Sequence, residues 1–194
     1  MCLIADIGGT NARFALVEEG STTPQHERTL SCANYHTLVD AVLAYLEDAC
    51  QPMPETASLA IATPVLKDRV VMTNHVWDLS VEETRKALGL KSLRVINDYT
   101  ALALALPYLG DDDFRKVGQG TSVDKQTRAV LGPGTGLGVS GCIYTGDYWL
   151  PIQGEGGHVS YGPLDDREAE IIRVILKHHD FVSAESLVSG PGLV

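Results

Sequence analysis

Two glycine loops in this sequence carry more functional side chains than a turn requires. They are Asp6-Ile7-Gly8-Gly9-Thr10-Asn11-Ala12-Arg13 and Gly132-Pro133-Gly134-Thr135-Gly136-Leu137-Gly138. Glycine lets main-chain N–H groups approach a phosphate oxygen closely, and Thr10 and Thr135 can add hydroxyl donors. Each loop joins two apolar runs of strand character, not a strand and a helix. Gly-Lys-Ser/Thr is absent, which removes the Walker A loop. The second loop reads G-x-G-x-G-x-G with a strand after it, so the dinucleotide fingerprint fails as well. One such hairpin would be a plain turn. Two with matching Gly-Thr pairs, one led by Asp6 and trailed by Arg13, favour a phosphate clamp. Arg13 has two readings, reaching the phosphates or bracing the loop.

Asn97-Asp98 forms the second group, at the end of the run Leu93-Arg94-Val95-Ile96. Polar side chains at the carboxyl edge of a strand stand where α/β sheets build ligand sites. Asp98 is equally suited to cap the Ala-rich helix that follows, and both readings stand. The third group is Glu155-Gly156-Gly157-His158, with Glu185 further along. Two glycines let the backbone bring a carboxylate and an imidazole to one spot, for a metal or for the vicinal hydroxyls of a polyol. H-E-x-x-H is absent and no third ligand is spaced nearby. Glu185 on its own reads as a solvated helix residue. G-x-S-x-G does not occur, which argues against a serine hydrolase. His178 and His179 read as closing a charged helix, where they favour its dipole. Trp77 reads as core, and Asn74 beside it has no single reading.

The elements that must position these groups are legible as mixed α/β structure. After the opening hairpin, residues 20–31 read as a loop leading into an outer strand. Leu38, Val39, Val42, Leu43 and Leu46 recur at helical spacing and predict a helix from Tyr35 to Asp48. Residues 59–65 predict a buried strand and Arg69 to Thr73 another. Ser80 with Glu83 forms a capping box, and Gly89 closes that helix. Residues 93–98 predict a strand that runs into a helix ending at Pro107. A polar, Gly-rich stretch over 110–128 is the expected boundary, giving a small domain over 1–109 and a second over 110–194. The second opens with strands 129–132 and 138–144, repeating the strand–glycine turn–strand logic of the N-terminus. A charged helix from about Asp165 to His179 follows, and then a final helix ending at Ser189-Gly190-Pro191-Gly192.

A length of 194 residues suffices for a substantial core, and the 44% hydrophobic and 21% charged shares are ordinary for a globular protein. No apolar run approaches the ~20 residues of a membrane span, and no signal peptide is evident. A net charge of −10 argues against a broad nucleic-acid or anionic-membrane surface. It leaves room for a small phosphate ligand, whose charge N–H groups and a metal can neutralise locally. Cys2, Cys32, Cys50 and Cys142 form no C-x-x-C and read as reduced core thiols of a cytoplasmic protein.

With these residues in view, the sequence resembles the bacterial glucokinase family of the non-zinc type, nearly end to end from Leu3 to Val194. DIGGTNARFAL resembles the family's first phosphate motif, INDYTALALALP its catalytic segment and GPGTGLGVS its second phosphate motif. GEGGH and SAESLVSGPGL resemble its sugar-binding segments. D-x-G-G-T alone would suggest only the wider actin-like ATPase superfamily; five ordered motifs are specific. The Cys-rich zinc motif of the repressor–open-reading-frame–kinase relatives is missing. The resemblance implies an actin-like ATPase (ribonuclease H-like) α/β fold, with a small N-terminal domain and an incomplete larger α+β domain.

It further implies ATP-dependent phosphorylation of the glucose 6-hydroxyl, with Mg²⁺ and with glucose and ATP as partners. Asp98 is then the general base, and Asn97, Glu155, His158 and Glu185 bind the sugar hydroxyls. Gly8, Gly9, Thr10, Asn11, Gly134, Thr135 and Gly136 hold the ATP phosphates, and Asp6 stands near Mg²⁺ through water. Glucose and mannose share most hydroxyls, and ATP and polyphosphate share the phosphates, so both pairs stay open. A homodimer is the one oligomer entertained. Family members continue past Gly190-Pro191-Gly192, so the chain is expected to be C-terminally truncated, to lack the adenosine pocket, and to be weakly active or inactive alone. Two readings compete with the kinase: a non-catalytic sugar-binding or regulatory module on the same scaffold, and an actin-like filament ATPase. The module would not need a base at Asp98. The filament would leave Glu155, His158 and Glu185 without a purpose.

Overall fold

Strands β1 (Cys2–Ile7) and β2 (Asn11–Val17) form the opening hairpin of the computed structural model, which describes residues 1–72 and 77–194. Alternation explains β1: Leu3, Ala5 and Ile7 are buried, while Asp6 faces the other way. An outer strand β3 (Gln25–Ser31) pairs antiparallel with β2, with a register irregularity between Phe14 and Leu16. Helix α1 (Leu38–Asp48) follows, then β4 (Thr56–Ile61), the short strands β5 (Arg69–Val71) and β6 (Asp78–Ser80), helix α2 (Val81–Ala87), β7 (Ser92–Asn97) and helix α3 (Asp98–Ala105). The main sheet has the order β3-β2-β1-β4-β7, with β1, β4 and β7 parallel.

The register places Ile7, Ile61 and Asn97 in one row at the carboxyl ends of the three parallel strands. Asp98 comes one step later, where β1 has given way to Gly8. The core lies against this sheet. Leu3, Ile7, Phe14, Leu16, Leu59 and Ile61 cluster with Leu38, Val42 and Tyr45 of α1, and Phe14 stacks on Tyr45 at 5.2 Å. Trp77 is buried in the same cluster and donates its indole N–H to the Tyr35 carbonyl at 3.1 Å.

The rest of the chain supplies β8 (Arg128–Pro133), β9 (Leu137–Tyr144), β10 (Trp149–Ile152), helix α4 (Asp166–Ile175) and helix α5 (Ala184–Val188). The strands form an antiparallel sheet in the order β10-β9-β8. By their contacts the residues divide into two units, Met1–Ala101 and Leu102–Val194. Among the described residues, the buried apolar side chains of the second unit are Ala103, Cys142 and Val182, so the large core belongs to the first. Among the described residues no helix is long and apolar enough to cross a membrane.

Several boundaries differ from the sequence reading. α1 begins at Leu38, not Tyr35, because Thr37 and Asp40 cap it reciprocally. Tyr35 instead closes a 3₁₀ turn over Cys32–Asn34. Ser80 accepts from the Glu83 N–H at 3.1 Å, but its hydroxyl donates to Asp68, so a different carboxylate completes that helix start. Gly89 does close α2, in the left-handed region at φ +66°. α4 stops at Ile175, which leaves His178 and His179 beyond it, with their N–H groups on the Ile175 carbonyl. Cys32 and Cys142 are buried thiols, whereas Cys50 is exposed just past the end of α1. Asn74 and Thr73 lie outside the described residues.

Candidate active site

In the first unit, β7 delivers Asn97 and Asp98 to the carboxyl edge of the sheet. Asn97 takes the capping role: its Oδ1 accepts the Thr100 N–H at 3.2 Å, at the start of α3. Its amide donates to Asp98 Oδ1 at 2.8 Å and reaches the Thr63 carbonyl at 3.4 Å. The Tyr99 N–H also donates to Asp98 Oδ1, at 2.9 Å. Both bonds fall on one carboxylate oxygen and leave Oδ2 outside them. Asp98 is half-buried, and burial pushes its carboxyl above the ordinary range; the charge of Asp6 adds to the rise, against the N–H of Tyr99 and the Asn97 amide, which lower it. A carboxylate so placed is oriented by its neighbours and binds a proton more readily than a free one.

The first glycine loop stands beside it. The Gly8 N–H bonds to the Asn11 carbonyl at 2.9 Å, and the Cys32 N–H to the Thr10 carbonyl at 2.9 Å. Asp6 and Arg13 face each other across β1 and β2, with Arg13 Nη1 2.9 Å from Asp6 Oδ2. Arg13 therefore braces the Asp6 carboxylate in this structure. Among the described residues no group of three His, Cys, Asp or Glu side chains gathers as a metal cage. Magnesium does not need such a cage, because one or two carboxylates together with substrate phosphates and water commonly hold it.

The second unit brings together three segments that are far apart in sequence. The turn Gly134-Thr135-Gly136 is closed by the Gly134 N–H on the Gly136 carbonyl at 2.7 Å. Glu155 opens a 3₁₀ turn over Gly156–His158, and its carbonyl accepts the His158 N–H at 3.0 Å. This turn lies so close to β9 that a Cβ on Gly157 would stand 2.1 Å from the Leu137 carbonyl oxygen, and one on Gly156 would stand 2.8 Å from a methyl of Val139. The two glycines exist for that approach. Ser183 caps α5, and pairing of Ala184 N–H with the Val159 carbonyl holds the helix beside the turn. Glu185 then reaches both neighbours: Oε2 accepts the Leu137 N–H at 2.8 Å, and Oε1 lies 3.4 Å from His158 Nε2.

Sequence reasoning set Glu185 beside the Glu155–His158 group but read it alone as a solvated helix residue; its sugar role came only from the family resemblance. It missed the Leu137 N–H altogether, because a main-chain donor leaves no mark in residue type. It also missed the Gly190 N–H, which bonds to the Gly134 carbonyl at 2.7 Å. In the first unit Asp98 feels the charge of Asp6, and in the second Glu185 lies 3.4 Å from His158.

Solved structures share this arrangement of elements. A glucokinase from an Antarctic psychrotroph matches with a TM-score of 0.89 at 36% identity, over 98% of this chain and 61% of its own. A ROK family glucokinase from Streptomyces griseus, solved in complex with glucose and AMPPNP, matches at a TM-score of 0.57 and 20% identity, over 98% of this chain and 58% of its own. At that identity the likeness is one of fold alone. The class is a sugar-kinase scaffold of the actin-like ATPase fold. The profile described as Glucokinase matches residues 3–194, and the chain belongs to that family. The glucokinase of Aromatoleum aromaticum is 48% identical over 193 residues, which is 99% of this chain and 58% of that relative. The chain thus spans less than two thirds of the length of the curated relative it matches.

Proposed function

We propose that the chain carries glucokinase chemistry, transfer of the γ-phosphoryl group of ATP to the 6-hydroxyl of glucose, giving glucose 6-phosphate and ADP. The observation that carries the reading is Asp98: a half-buried carboxylate with raised proton affinity, held at a strand's carboxyl end by an asparagine that does the capping. A pure sugar binder has no use for a base there. Asp98 takes the hydroxyl proton as the sugar oxygen attacks phosphorus, and the leaving group departs as ADP. Asn97 positions that carboxylate, and its Oδ1 retains a lone pair for a sugar hydroxyl. Glu155, His158 and Glu185 accept and donate hydrogen bonds to the remaining hydroxyls.

The loops Gly8-Gly9-Thr10-Asn11 and Gly134-Thr135-Gly136 serve the phosphates, with the N–H groups of Gly9, Thr10, Thr135 and Gly136 as donors while those of Gly8 and Gly134 close the turns. Positioning of this kind supplies most of the catalysis in phosphoryl transfer. Asp6, exposed beside the first loop, is the carboxylate suited to Mg²⁺, whose chemistry is to neutralise phosphate charge. Arg13 holds that carboxylate in place. The cytoplasm, where ATP is available, is the location that goes with this reading.

The test is glucose- and ATP-dependent ADP release by the protein expressed from its own gene, native and with Asp98→Asn. The variant should lose at least ~100-fold in turnover while glucose affinity stays near native, from the usual size of general-base catalysis. Unchanged turnover would remove Asp98 from the role.

A further inference from the structure

We infer that Glu185 is a positioning residue for the second glycine loop as well as a sugar ligand, so that sugar occupancy and the shape of the loop are coupled within the second unit. The inference rests on the sugar and phosphate roles proposed above. Leu137 is the first residue after the turn, and the proposed sugar-binding segments meet both its N–H and its carbonyl. Its N–H is bound by Glu185 Oε2 at 2.8 Å, and its carbonyl is covered so closely by Gly157 that no Cβ fits there. The other carboxylate oxygen of Glu185 faces His158 Nε2 at 3.4 Å. A sugar hydroxyl that turns this carboxylate therefore acts on the N–H that fixes the exit of the loop. Gly136 is part of the same device. A Cβ there would stand 2.5 Å from Glu185 Oε2, so only glycine leaves the carboxylate its seat. The Gly190 N–H on the Gly134 carbonyl, at 2.7 Å, ties the exit of α5 to the other side of the turn.

A double-mutant cycle on glucose binding without nucleotide tests this, read by titration calorimetry on the protein expressed from its own gene. Gly136→Ala pushes the Glu185 carboxylate off its seat and should weaken glucose binding about tenfold, the loss expected of a charge-assisted hydrogen bond. A residue that served only the phosphates would leave this measurement unmoved. In a Glu185→Ala background the same substitution should change glucose binding by less than about twofold, because its target is gone. A second measurement compares Glu185→Gln with Glu185→Ala. The amide keeps an oxygen for the Leu137 N–H, so Gln should raise the KM for glucose and spare that for ATP, whereas Ala should raise both. If Gly136→Ala fails to fold, this KM split decides alone. Additive losses in the cycle, or an ATP KM unmoved in Glu185→Ala, would overturn the coupling while leaving the proposed function intact. Absence of glucose binding by the native protein would overturn the proposed function, and the coupling with it.

Discussion

The connections Gly8 to Asn11 and Gly134 to Gly136 both join antiparallel strands, yet different parts of the chain hold them. The first is secured by its own hairpin and the adjoining turn: Gly8 N–H on the Asn11 carbonyl, Cys32 N–H on the Thr10 carbonyl, and Asp6 opposite Arg13. The strands behind it carry Leu3, Ile7, Phe14 and Leu16 into the large core. The second closes through the Gly134–Gly136 bond at the tip of the β8–β9 hairpin and is tied as well to residues far along the chain, Glu185 and Gly190. Its sheet leaves Leu131, Ile143, Leu150 and Ile152 exposed. A loop fixed by a core presents the same donors whether or not a ligand is bound. With Glu185 in its proposed sugar-binding role, the second loop can be set by the ligand.

Gly157→Ala should separate the two most sharply. A Cβ would stand 2.1 Å from a main-chain oxygen and 3.0 Å from the carbonyl carbon, atoms that cannot move aside as a side chain can. The expected cost is about 1–3 kcal/mol or more, the range for forced overpacking. Hydrogen exchange should locate it: the amides of Gly134 and Leu137 lose protection, while those of β1 and β2 keep theirs. Equal loss in both hairpins would mean that the first is not self-supporting.

Acid should act next, through Asp98 in the first unit. Asp98 has a folded pKa above its unfolded value of about 3.9. Its contribution to stability is therefore present below the unfolded value and lost as pH rises through the folded one. With Asp98 as the proposed base, activity should run the other way, since a base must be ionised: it holds above the folded pKa and falls as pH drops through it. The acid limb of kcat/KM should therefore lie above the ordinary carboxylate range. Asp98→Asn should melt no lower than the native protein at neutral pH, with the difference changing in favour of the native protein on acidification. An acid limb at or below about 3.9 would contradict the burial argument.

How much of this was legible in the sequence follows from the same contrast. Wherever the determinants are local, residue types announced them: the alternation of β1, the helical spacing of α1, Gly89 at a helix end, and Asn97-Asp98 after an apolar strand. Boundaries slipped where a cap a few residues away decided the outcome, as at Thr37 and Asp40. Both readings of Asp98 were open because capping and catalysis ask for the same side chain; the structure gives the cap to Asn97. The ties of the second loop were out of reach. They join a main-chain N–H to a carboxylate 48 residues on, and pack a glycine turn onto a strand, and neither leaves a periodic pattern.

Arg13 gives the smallest expected effect and the finest test of the first hairpin. Its guanidinium and the Asp6 carboxylate are 70% and 52% exposed, so water and salt screen their attraction. An exposed cross-strand ion pair contributes no more than about 1 kcal/mol. Main-chain bonds and the core should therefore hold the hairpin without it, and Arg13→Ala should lower Tm only slightly, by less still in added salt. The KM for ATP then separates the two roles left open for this residue. A rise in KM with Tm unmoved would mean that the guanidinium serves the phosphates. A small fall in Tm with KM unmoved would mean that it only braces. A loss of stability well beyond the ceiling of an exposed pair would break the comparison itself, because the first loop would then hang on a side chain just as the second does.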